Sequence, residues 1–353
     1  MRYSARIAAG LMGGALLALP TTAGVINPDI SAIGQVLGGI TGDPGSTDQD
    51  EPTLSLGESE FILDAALNPY LKGFFTIAAG EEGFDIEEAY AAVLRGLPYG
   101  LGIKTGKYRL GLGKLNPVHP HAYPFIDPPR AWVSLLGEEG FNEVAVQASI
   151  LLPTPGDWAS TFSVDMIQGN SFHEGQDQTR LGWLGRWSNS FLIGEKGAFD
   201  MGLSGATGTD VVAGGGVEKD HRGYLAGADL KAKFYLPGAS QLTLQGEGLF
   251  RRSHSADSVT GVSSEDRRGF YAFADYKYHT RWNFGALYDQ VERAGDAAFT
   301  DRSIKAFTGF AVLEESTMLR AGYEYFMPEG EDAFQTLSLQ FLFSMGPHKP
   351  HQF

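Results

Sequence analysis

Apolar and polar residues alternate along most of this chain from about Glu58 onward, in short stretches separated by turn residues. The clearest stretch is 224–236, in which every second residue from Tyr224 to Leu236 is apolar. The residues between them include three charged side chains, Asp229, Lys231 and Lys233. Alternate residues of a strand lie on opposite faces, whereas a helix would distribute these charges around its circumference. The pattern therefore predicts strands with one apolar and one polar face.

The number of such stretches predicts the size of the sheet. The alternation recurs at 162–166, 242–251, 282–289 and 319–325. A count over the whole chain gives about 14 strands, within a range of about 12–16. An even number is expected, because single-chain bacterial barrels have even strand numbers. We predict an all-β fold, a transmembrane antiparallel β-barrel over residues 58–353, with its apolar face toward lipid and its polar face toward the lumen. A soluble periplasmic all-β protein is the alternative, because alternation alone does not distinguish lipid from a second protein layer.

The first 23 residues have the features of a signal peptide. Arg2 and Arg6 precede an apolar run over 7–19, which is too short to span a bilayer, and small residues follow at 21–23. Residues 24–57 are polar and rich in turn formers. They predict a flexible periplasmic lead-in with a short helix near 30–37. Export without a later apolar helix predicts a location in the bacterial outer membrane.

The last strand has a second feature of exported barrels. Leu337, Leu339, Phe341 and Phe343 share one face, and the chain ends in Phe353. A strand followed by a terminal aromatic residue resembles the C-terminal signal of bacterial outer-membrane β-barrels. The resemblance implies an assembly signal at Phe341, Phe343 and Phe353 that contacts the barrel-assembly machinery.

Composition excludes several classes of function. The chain has no cysteine, which excludes disulfides, thiol catalysis and thiolate metal sites. Its formal net charge of −15 argues against nucleic acid as a partner. Forty-seven glycines and 12% aromatic residues suit strands with one lipid face and one wet face.

One connection, residues 113–140, differs from all the others. Five prolines within 117–129 exclude a strand ladder, because proline donates no backbone hydrogen bond. The segment is nevertheless rich in aromatic and aliphatic residues, and long connections of this kind are usually functional or packed on something. We predict that it enters or covers the lumen and constricts it. Its candidate constriction residues are polar: Asn116, His119, His121, Asp127 and Arg130.

Two of these residues also predict a metal site. His119 and His121 are spaced so that both rings can lie on one side of an extended backbone, and imidazole is a common ligand of zinc and copper. His348 and His351 lie near the C-terminus. Zinc sites usually have three or four ligands, and no His-Glu-x-x-His motif is present. Zinc is therefore the one cofactor that the sequence suggests. The alternative is that the histidines bind no metal and hydrogen-bond to carbonyl groups and lipid headgroups.

Charged residues on the predicted strands are candidates for the lumen wall, because a charge on the lipid face costs about 2–4 kcal/mol at the bilayer midplane. Lys104 alternates with Lys107 and Arg109, so that only one of these two sets is expected to face inward. For the same reason the adjacent acids Glu87 and Glu88 are expected on opposite faces. Such charges set ion selectivity or form salt bridges that hold the shape of the barrel. The candidate pore-lining residues are Lys104, Lys107, Arg109, Asp229, Lys231, Lys233, Arg320 and Glu324.

Several short motifs are distinctive. They are Gly-Lys-Tyr-Arg at 106–109, Gly-Lys-Leu-Asn at 113–116, His-Pro-His at 119–121, Pro-Phe-Ile-Asp at 124–127 and the ending at 346–353. In these motifs the chain resembles a family of poorly characterised porin-like outer-membrane β-barrel proteins, most closely over 58–155 and 334–353. The resemblance implies a barrel. Members of that family are sometimes named zinc-regulated TonB-dependent outer-membrane receptors, although residues 24–57 leave no room for a plug domain.

Three classes of function remain open at this point. A lumen with mixed charges and one inserted loop predicts a porin-like channel for passive passage of small hydrophilic solutes or ions. A closed or receptor-like barrel, related to zinc, is the alternative. An enzyme would need a nucleophile or an acid–base cluster at the rim, and the sequence supplies none, so we predict no catalytic residue. The expected partners are outer-membrane lipid, the assembly machinery, small solutes and further copies of the chain in a homo-oligomer.

Overall fold

The computed structural model describes residues 28–80, 83–172, 180–214, 217–255, 262–313 and 316–346. These residues form seventeen strands, one α-helix and four short 3₁₀ helices. The helix is α1, Arg130–Leu136, and the 3₁₀ helices are Pro98–Gly100, Pro120–Ala122, Asn170–Phe172 and Gly194–Lys196. The strands are β1 (Asp29–Thr41), β2 (Thr53–Leu56), β3 (Ser59–Ala66), β4 (Leu71–Gly80), β5 (Gly83–Val93), β6 (Leu101–Arg109), β7 (Asn142–Leu152), β8 (Trp158–Ile167), β9 (Gly182–Leu192), β10 (Gly197–Gly214), β11 (Val217–Leu236), β12 (Ser240–Ser255), β13 (Ser263–Tyr278), β14 (Trp282–Arg293), β15 (Asp296–Leu313), β16 (Thr317–Met327) and β17 (Phe334–Met345).

The strands close into a ring. Each strand from β3 to β17 pairs antiparallel with the next, and β1 pairs with β17 on one edge and with β3 on the other. The β1–β17 ladder runs from Ala32 opposite Met345 to Thr41 opposite Thr336. Sixteen strands, β1 and β3–β17, therefore form the barrel, while β2 pairs with β1 beside β3 and lies outside the ring. Closure removes every sheet edge, which is what a bilayer requires of a sheet.

Two predictions about the size and start of the barrel need correction. The ring has sixteen strands rather than about fourteen. Within the predicted lead-in, the described residues 28–57 form strands rather than a helix: Asp29–Thr41 form β1 and Thr53–Leu56 form β2. The alternation of β1 is weak because Gly34, Gly38 and Gly39 interrupt it. At Gly34 the ring of Phe343 on β17 packs directly on the backbone, since a Cβ there would lie 2.5 Å from that ring.

The two faces of the strands follow the predicted pattern. On β11, Tyr224 and Leu230 are exposed on the outer face, while Leu225 and Asp229 are buried on the inner face. Large apolar side chains are exposed on the outer face of strands around the ring: Trp183, Leu230, Phe284, Ile304 and Leu339. Burying such a continuous apolar surface in lipid is favourable, whereas water would not solvate it. The outer face is therefore a lipid face.

The C-terminal strand fits this arrangement. Leu337, Leu339 and Phe341 are exposed on the outer face of β17, and Gln340 is buried on the other. The ring of Phe343 lies 5.9 Å from that of Phe341. Phe353, the third residue of the predicted assembly signal, lies outside the described residues, as do the predicted signal peptide and both C-terminal histidines.

Much of the buried apolar core belongs to one connection rather than to the barrel wall. Residues 110–141, which we call the 110–141 segment, join β6 to β7 and include α1. Eleven side chains of the segment, together with the preceding Tyr108, are among the core residues: Tyr108, Leu110, Leu112, Leu115, Val118, Tyr123, Phe125, Ala131, Trp132, Leu135, Leu136 and Phe141. They pack against wall residues of β7–β15, such as Leu249, Phe273 and Phe307. Among the described residues no helix has both the length and the apolar character to cross a bilayer.

Candidate functional site

Asn116 fixes the base of the 110–141 segment. Its Nδ2 donates hydrogen bonds to the carbonyl oxygens of Leu110 and Phe141, at 2.7 and 2.9 Å. Its Oδ1 accepts a hydrogen bond from the backbone N–H of Phe141 at 2.7 Å. Asn116 is fully buried. One amide thus joins the two ends of the segment, and its three hydrogen bonds satisfy groups that burial would otherwise leave unpaired.

The middle of the segment packs against one part of the wall through aromatic rings. The ring of Phe125 lies 5.4 Å from that of Phe273 on β13 and 5.6 Å from that of Phe307 on β15, both edge to face. Trp132 and Leu135 of α1 are buried among the same core residues. Edge-to-face pairs of this kind contribute about 0.5–1.5 kcal/mol beyond the area they bury.

Polar contacts anchor the segment to strands far apart in the ring. On β12, Glu247 accepts hydrogen bonds from the backbone N–H groups of Lys114 and Leu115, at 2.6 and 2.7 Å. Gly113 has a positive φ of 67°, and a Cβ there would meet Glu247, so glycine is required. On β17, Ser338 donates to Asp127 Oδ2 at 2.9 Å.

The helix α1 is anchored by a charge network on β14–β16. Arg130 Nε donates to Glu324 Oε1 at 2.7 Å and its Nη2 donates to Glu324 Oε2 at 2.9 Å, a bidentate pair. The backbone N–H of Arg130 donates to Asp289 at 3.0 Å. Lys305 donates to the carbonyl of Pro128 at 2.7 Å and lies 3.4 Å from Glu324. Burial opposes the charge of Arg130, but its pair with Glu324 raises the pKa of the guanidinium.

A cavity of about 700 Å³ lies between the segment and the wall. Thr280 and Arg281 of the short β13–β14 turn line it, so it lies toward the end of the barrel where β17 ends. Its lining includes one acidic side chain, Asp275, and six basic ones: Lys114, Lys231, Lys233, Lys277, Arg281 and Arg320. We call it the basic chamber. Its charge is opposite in sign to the net charge of the chain.

The structure separates the eight predicted pore-lining residues into three groups. Lys231, Lys233 and Arg320 line the basic chamber. Lys104, Arg109, Asp229 and Glu324 are engaged in contacts within the interior: the Nζ of Lys104 lies 3.7 Å from the ring centre of Tyr90, Arg109 pairs with Glu87, Asp229 with Arg186, and Glu324 with Arg130. Lys107 pairs instead with the exposed Asp85 at 3.1 Å.

The expectation that Lys104 and Arg109 face opposite sides is wrong. Both contact interior residues: Lys104 packs on the ring of Tyr90, and Arg109, the last residue of β6, pairs with the buried Glu87.

His119 and His121 meet three carboxylates where the segment contacts β3 and β5. His119 Nε2 lies 2.8 Å from Glu88 Oε2, and its Nδ1 lies 3.3 Å from Glu60 Oε2 and 3.1 Å from Glu87 Oε2. His121 Nδ1 lies 2.7 Å from Glu60 Oε1. The short helix Pro120–Ala122 stacks the two imidazole rings, with centres 5.6 Å apart. We call these five buried residues the histidine–glutamate cluster.

A β-bulge brings two adjacent acids into this cluster, which corrects the expectation that they face opposite sides. On β4, Thr76 is opposite Glu88 and Ile77 is opposite Ile86, so Glu87 is the extra residue of the bulge. A bulge turns a side chain away from the strict alternation of a strand. Both carboxylates therefore reach His119.

The surroundings of His119 determine its protonation. Burial alone would lower the pKa of His119, but the carboxylates of Glu60, Glu87 and Glu88 beside its ring outweigh that effect and raise the pKa well above its ordinary value. In the absence of a competing cation, His119 is therefore expected to be an imidazolium at neutral pH.

Sequence reasoning missed several residues that meet at these two places. Glu60, Glu87 and Glu88 complete the histidine–glutamate cluster, and Lys114, Lys277 and Arg281 belong to the basic chamber. Lys277 offered a signal, since it alternates with the aromatic residues at 276 and 278. The pairing of Glu60 with the histidines depends on strand register and offered none.

The closed ring of sixteen antiparallel strands and its apolar outer face define an outer-membrane β-barrel, as the sequence predicted. Solved structures with this architecture are outer-membrane proteins and channels. OmpT of Vibrio cholerae, with loop L8 deleted, matches with a TM-score of 0.60 at 11% identity, over 90% of this chain and 99% of that one. The outer membrane channel DcaP of Acinetobacter baumannii matches with a TM-score of 0.59 at 12% identity, over 91% and 97%. An anion-selective porin from Comamonas acidovorans matches with a TM-score of 0.57 at 10% identity, over 90% and 99%. At these identities the likeness concerns the fold.

One curated relative is more similar in sequence. An uncharacterized protein of Aquifex aeolicus (strain VF5) is 31% identical over 266 residues, which cover 68% of this chain and 55% of that protein. This chain thus spans about half the length of the curated relative it matches. No family model matches the chain. The resemblance to a porin-like family, with its zinc-regulated name, therefore stays a prediction.

Proposed function

We propose that the protein is a porin-like channel, rather than an enzyme, through which small hydrophilic solutes or ions cross the outer membrane passively. We further propose that the 110–141 segment crosses the lumen and narrows it, and that the remaining passage runs through the basic chamber and favours anions. The observation that carries the proposal is that one segment contacts distant strands of a closed ring and leaves a cavity lined by basic side chains.

The position of the segment in the lumen is argued from its contacts. Glu247 on β12 and Ser338 on β17 are five strands apart, and Glu60 on β3 lies beyond the β1–β17 seam. Their side chains belong to the inner face of the wall. A segment that reaches all three must pass through the space that the ring encloses. Its buried apolar core keeps it there, because withdrawal would expose that core to water.

Anion preference is argued from charge. Six basic side chains against one acidic one give the chamber a positive potential, and a low-dielectric wall focuses such a field on the solutes that enter. Lys114 is partly neutralised by Asp200, at 3.5 Å, which lowers but does not reverse the excess.

Planar-bilayer recordings of the full chain test this function. The wild-type protein is expected to conduct, and its reversal potential in a salt gradient is expected to indicate a preference for anions over cations. Deleting residues 117–129 should raise the single-channel conductance, because it removes the part that bridges the lumen. Deleting residues 44–48 of the mostly exposed β1–β2 connection is the control and should leave conductance unchanged. Equal conductance of the wild type and the 117–129 deletion would refute the constriction.

A closed or receptor-like barrel is the second candidate, favoured by the extent of apolar packing between the segment and β7–β15. The same recordings separate the two. A wild-type protein that does not conduct, together with a 117–129 deletion that does, would assign the closed barrel.

Two partner proposals follow from the strands. We propose that the exposed outer face of β17, which includes Phe341, contacts the barrel-assembly machinery during insertion.

We also propose association into a homo-oligomer through part of the apolar outer face. Native gels and light scattering of the detergent-extracted protein test the second, and a single-chain mass would refute it.

A further inference from the structure

The histidine–glutamate cluster has the composition of a metal site. Ligand atoms of Glu60, His119 and His121 lie within 4.8 Å of one another, and all three residues are buried. We propose that His119, His121 and Glu60, together with Glu87, bind one divalent transition-metal cation, with Zn²⁺ the best match, and that this ion clamps the 110–141 segment to β3 and β5.

Two carboxylate oxygens aimed into the cluster carry the argument. Glu60 Oε2 and Glu87 Oε2 are buried, and neither accepts a hydrogen bond from the part of the chain that the structure describes. Both face the same atom, His119 Nδ1, at 3.3 and 3.1 Å. A protonated Nδ1 has one hydrogen and can satisfy one of these oxygens. A cation can bind both oxygens and the nitrogen together.

The separations fit such an ion. Zinc binds nitrogen and oxygen ligands at about 2.0–2.2 Å, so that neighbouring ligands of a tetrahedral site lie about 3.3–3.6 Å apart. The two separations at His119 Nδ1, 3.3 and 3.1 Å, are close to this range. Two imidazoles with carboxylates favour zinc and similar transition metals over calcium or magnesium, which prefer oxygen ligands throughout.

Glu88 supplies the outer partner that metal-binding histidines usually have. Its Oε2 lies 2.8 Å from His119 Nε2, so it can accept the Nε2 hydrogen. That hydrogen bond leaves Nδ1 as the nitrogen with a lone pair, directed at Glu60 and Glu87.

Charge balance gives the same result. Arg109 forms an ion pair with Glu87, and Lys104 interacts electrostatically with Glu88, whereas the carboxylate of Glu60 faces the two histidines. Uncompensated buried charge is costly, so balance must come from protonated imidazoles or from a cation. A divalent ion supplies positive charge and also satisfies both oxygens, of which the single Nδ1 hydrogen can satisfy only one.

Metal binding to the untagged, detergent-extracted chain tests the proposal. After treatment with a chelator, the folded protein should bind one Zn²⁺ per chain in titration calorimetry, and an excess of Ca²⁺ or Mg²⁺ should not compete. Co²⁺ should give the ligand-field bands of a low-coordinate nitrogen and oxygen site. Glu60→Gln and His121→Asn should each raise the dissociation constant at least about 100-fold, and Glu88→Gln about 10–100-fold.

Two controls address the other histidines. His279→Asn alters an exposed turn residue with a φ of 52°, a backbone region that asparagine tolerates, and should bind as the wild type does. A His348→Asn, His351→Asn double variant should also bind normally. A gel shift between heated and unheated samples shows whether each variant is folded. If one variant does not fold, the Zn²⁺ titration of the wild type still tests the proposal.

Absence of Zn²⁺ binding to the folded wild type would overturn the proposal and leave an imidazolium held by carboxylates. Binding that survives both Glu60→Gln and His121→Asn would overturn it as well. Because binding is measured in detergent without a current, its failure is distinct from failure of the proposed channel.

Discussion

The 110–141 segment meets the barrel wall in two different ways. Toward β12–β15 it packs apolar side chains, with Phe125 between Phe273 and Phe307. Toward β3 and β5 it presents His119 and His121 to buried carboxylates. The first contact is held by packing and tolerates changes of pH and salt. The second depends on protonation or on a bound cation, so the two contacts are expected to respond differently to pH and salt.

The largest expected effect is on the apolar side. Trp132→Ala removes a side chain that is 1% exposed and should destabilise the packing of α1 by about 3–5 kcal/mol through the cavity it leaves. Because the strand ladders are untouched, the barrel should persist while the segment loosens. Limited proteolysis in detergent should cut within 110–141 in this variant and not in Leu54→Ala, a change at an 81% exposed position. Equal resistance of the two variants would contradict the packing described.

The next effect concerns the charge network at α1. Arg130→Met leaves Glu324 with Lys305 as its remaining partner and should cost about 1–2 kcal/mol, since the Arg130 side chain is partly exposed. A double-mutant cycle with Glu324→Gln, followed by denaturant unfolding, measures the coupling. A coupling energy near zero would show that the Arg130–Glu324 pair does not contribute to stability.

The smallest effect is on selectivity. Lys231→Glu with Lys233→Glu reverses two of the six positive charges of the basic chamber and should shift the anion-to-cation permeability ratio by about two- to threefold toward cations. The matched control is Lys107→Glu, since Lys107 pairs with an exposed acid away from the chamber. An unchanged reversal potential in the double variant would remove these lysines from the pathway.

The fold could be predicted from the sequence wherever a strand has one lipid face. Tyr224–Leu236 is the clear case, because lipid requires apolar residues at every second position and the lumen does not. The prediction was wrong at β1, where glycines take outer and inner positions alike and closure against β17 supplies the stability. Apolar–polar alternation identifies a strand from its own residues, whereas β1 is recognised as a strand only from its pairing with β17 and β3.

The candidate sites could be predicted less well. The proline-rich segment and its histidines were identified because five prolines and two imidazoles are local features. Glu60 and Glu87 were not, because one depends on strand register and the other on a β-bulge. The basic chamber likewise gathers Lys114, Lys277 and Arg281 from distant positions that only closure of the ring brings together.

A cross-link between the segment and the opposite wall tests most directly whether the 110–141 segment crosses the lumen. The chain has no cysteine, so Asp127→Cys with Ser338→Cys introduces the only two thiols, at side chains whose oxygens lie 2.9 Å apart. Thr41→Cys with Thr336→Cys, at wall positions paired across β1 and β17, is the positive control. We expect a short bifunctional thiol reagent to link both pairs in the folded protein, so that the denatured chain migrates faster than its unlinked form. Linkage of the control pair without linkage of the 127–338 pair would contradict a segment that spans the barrel.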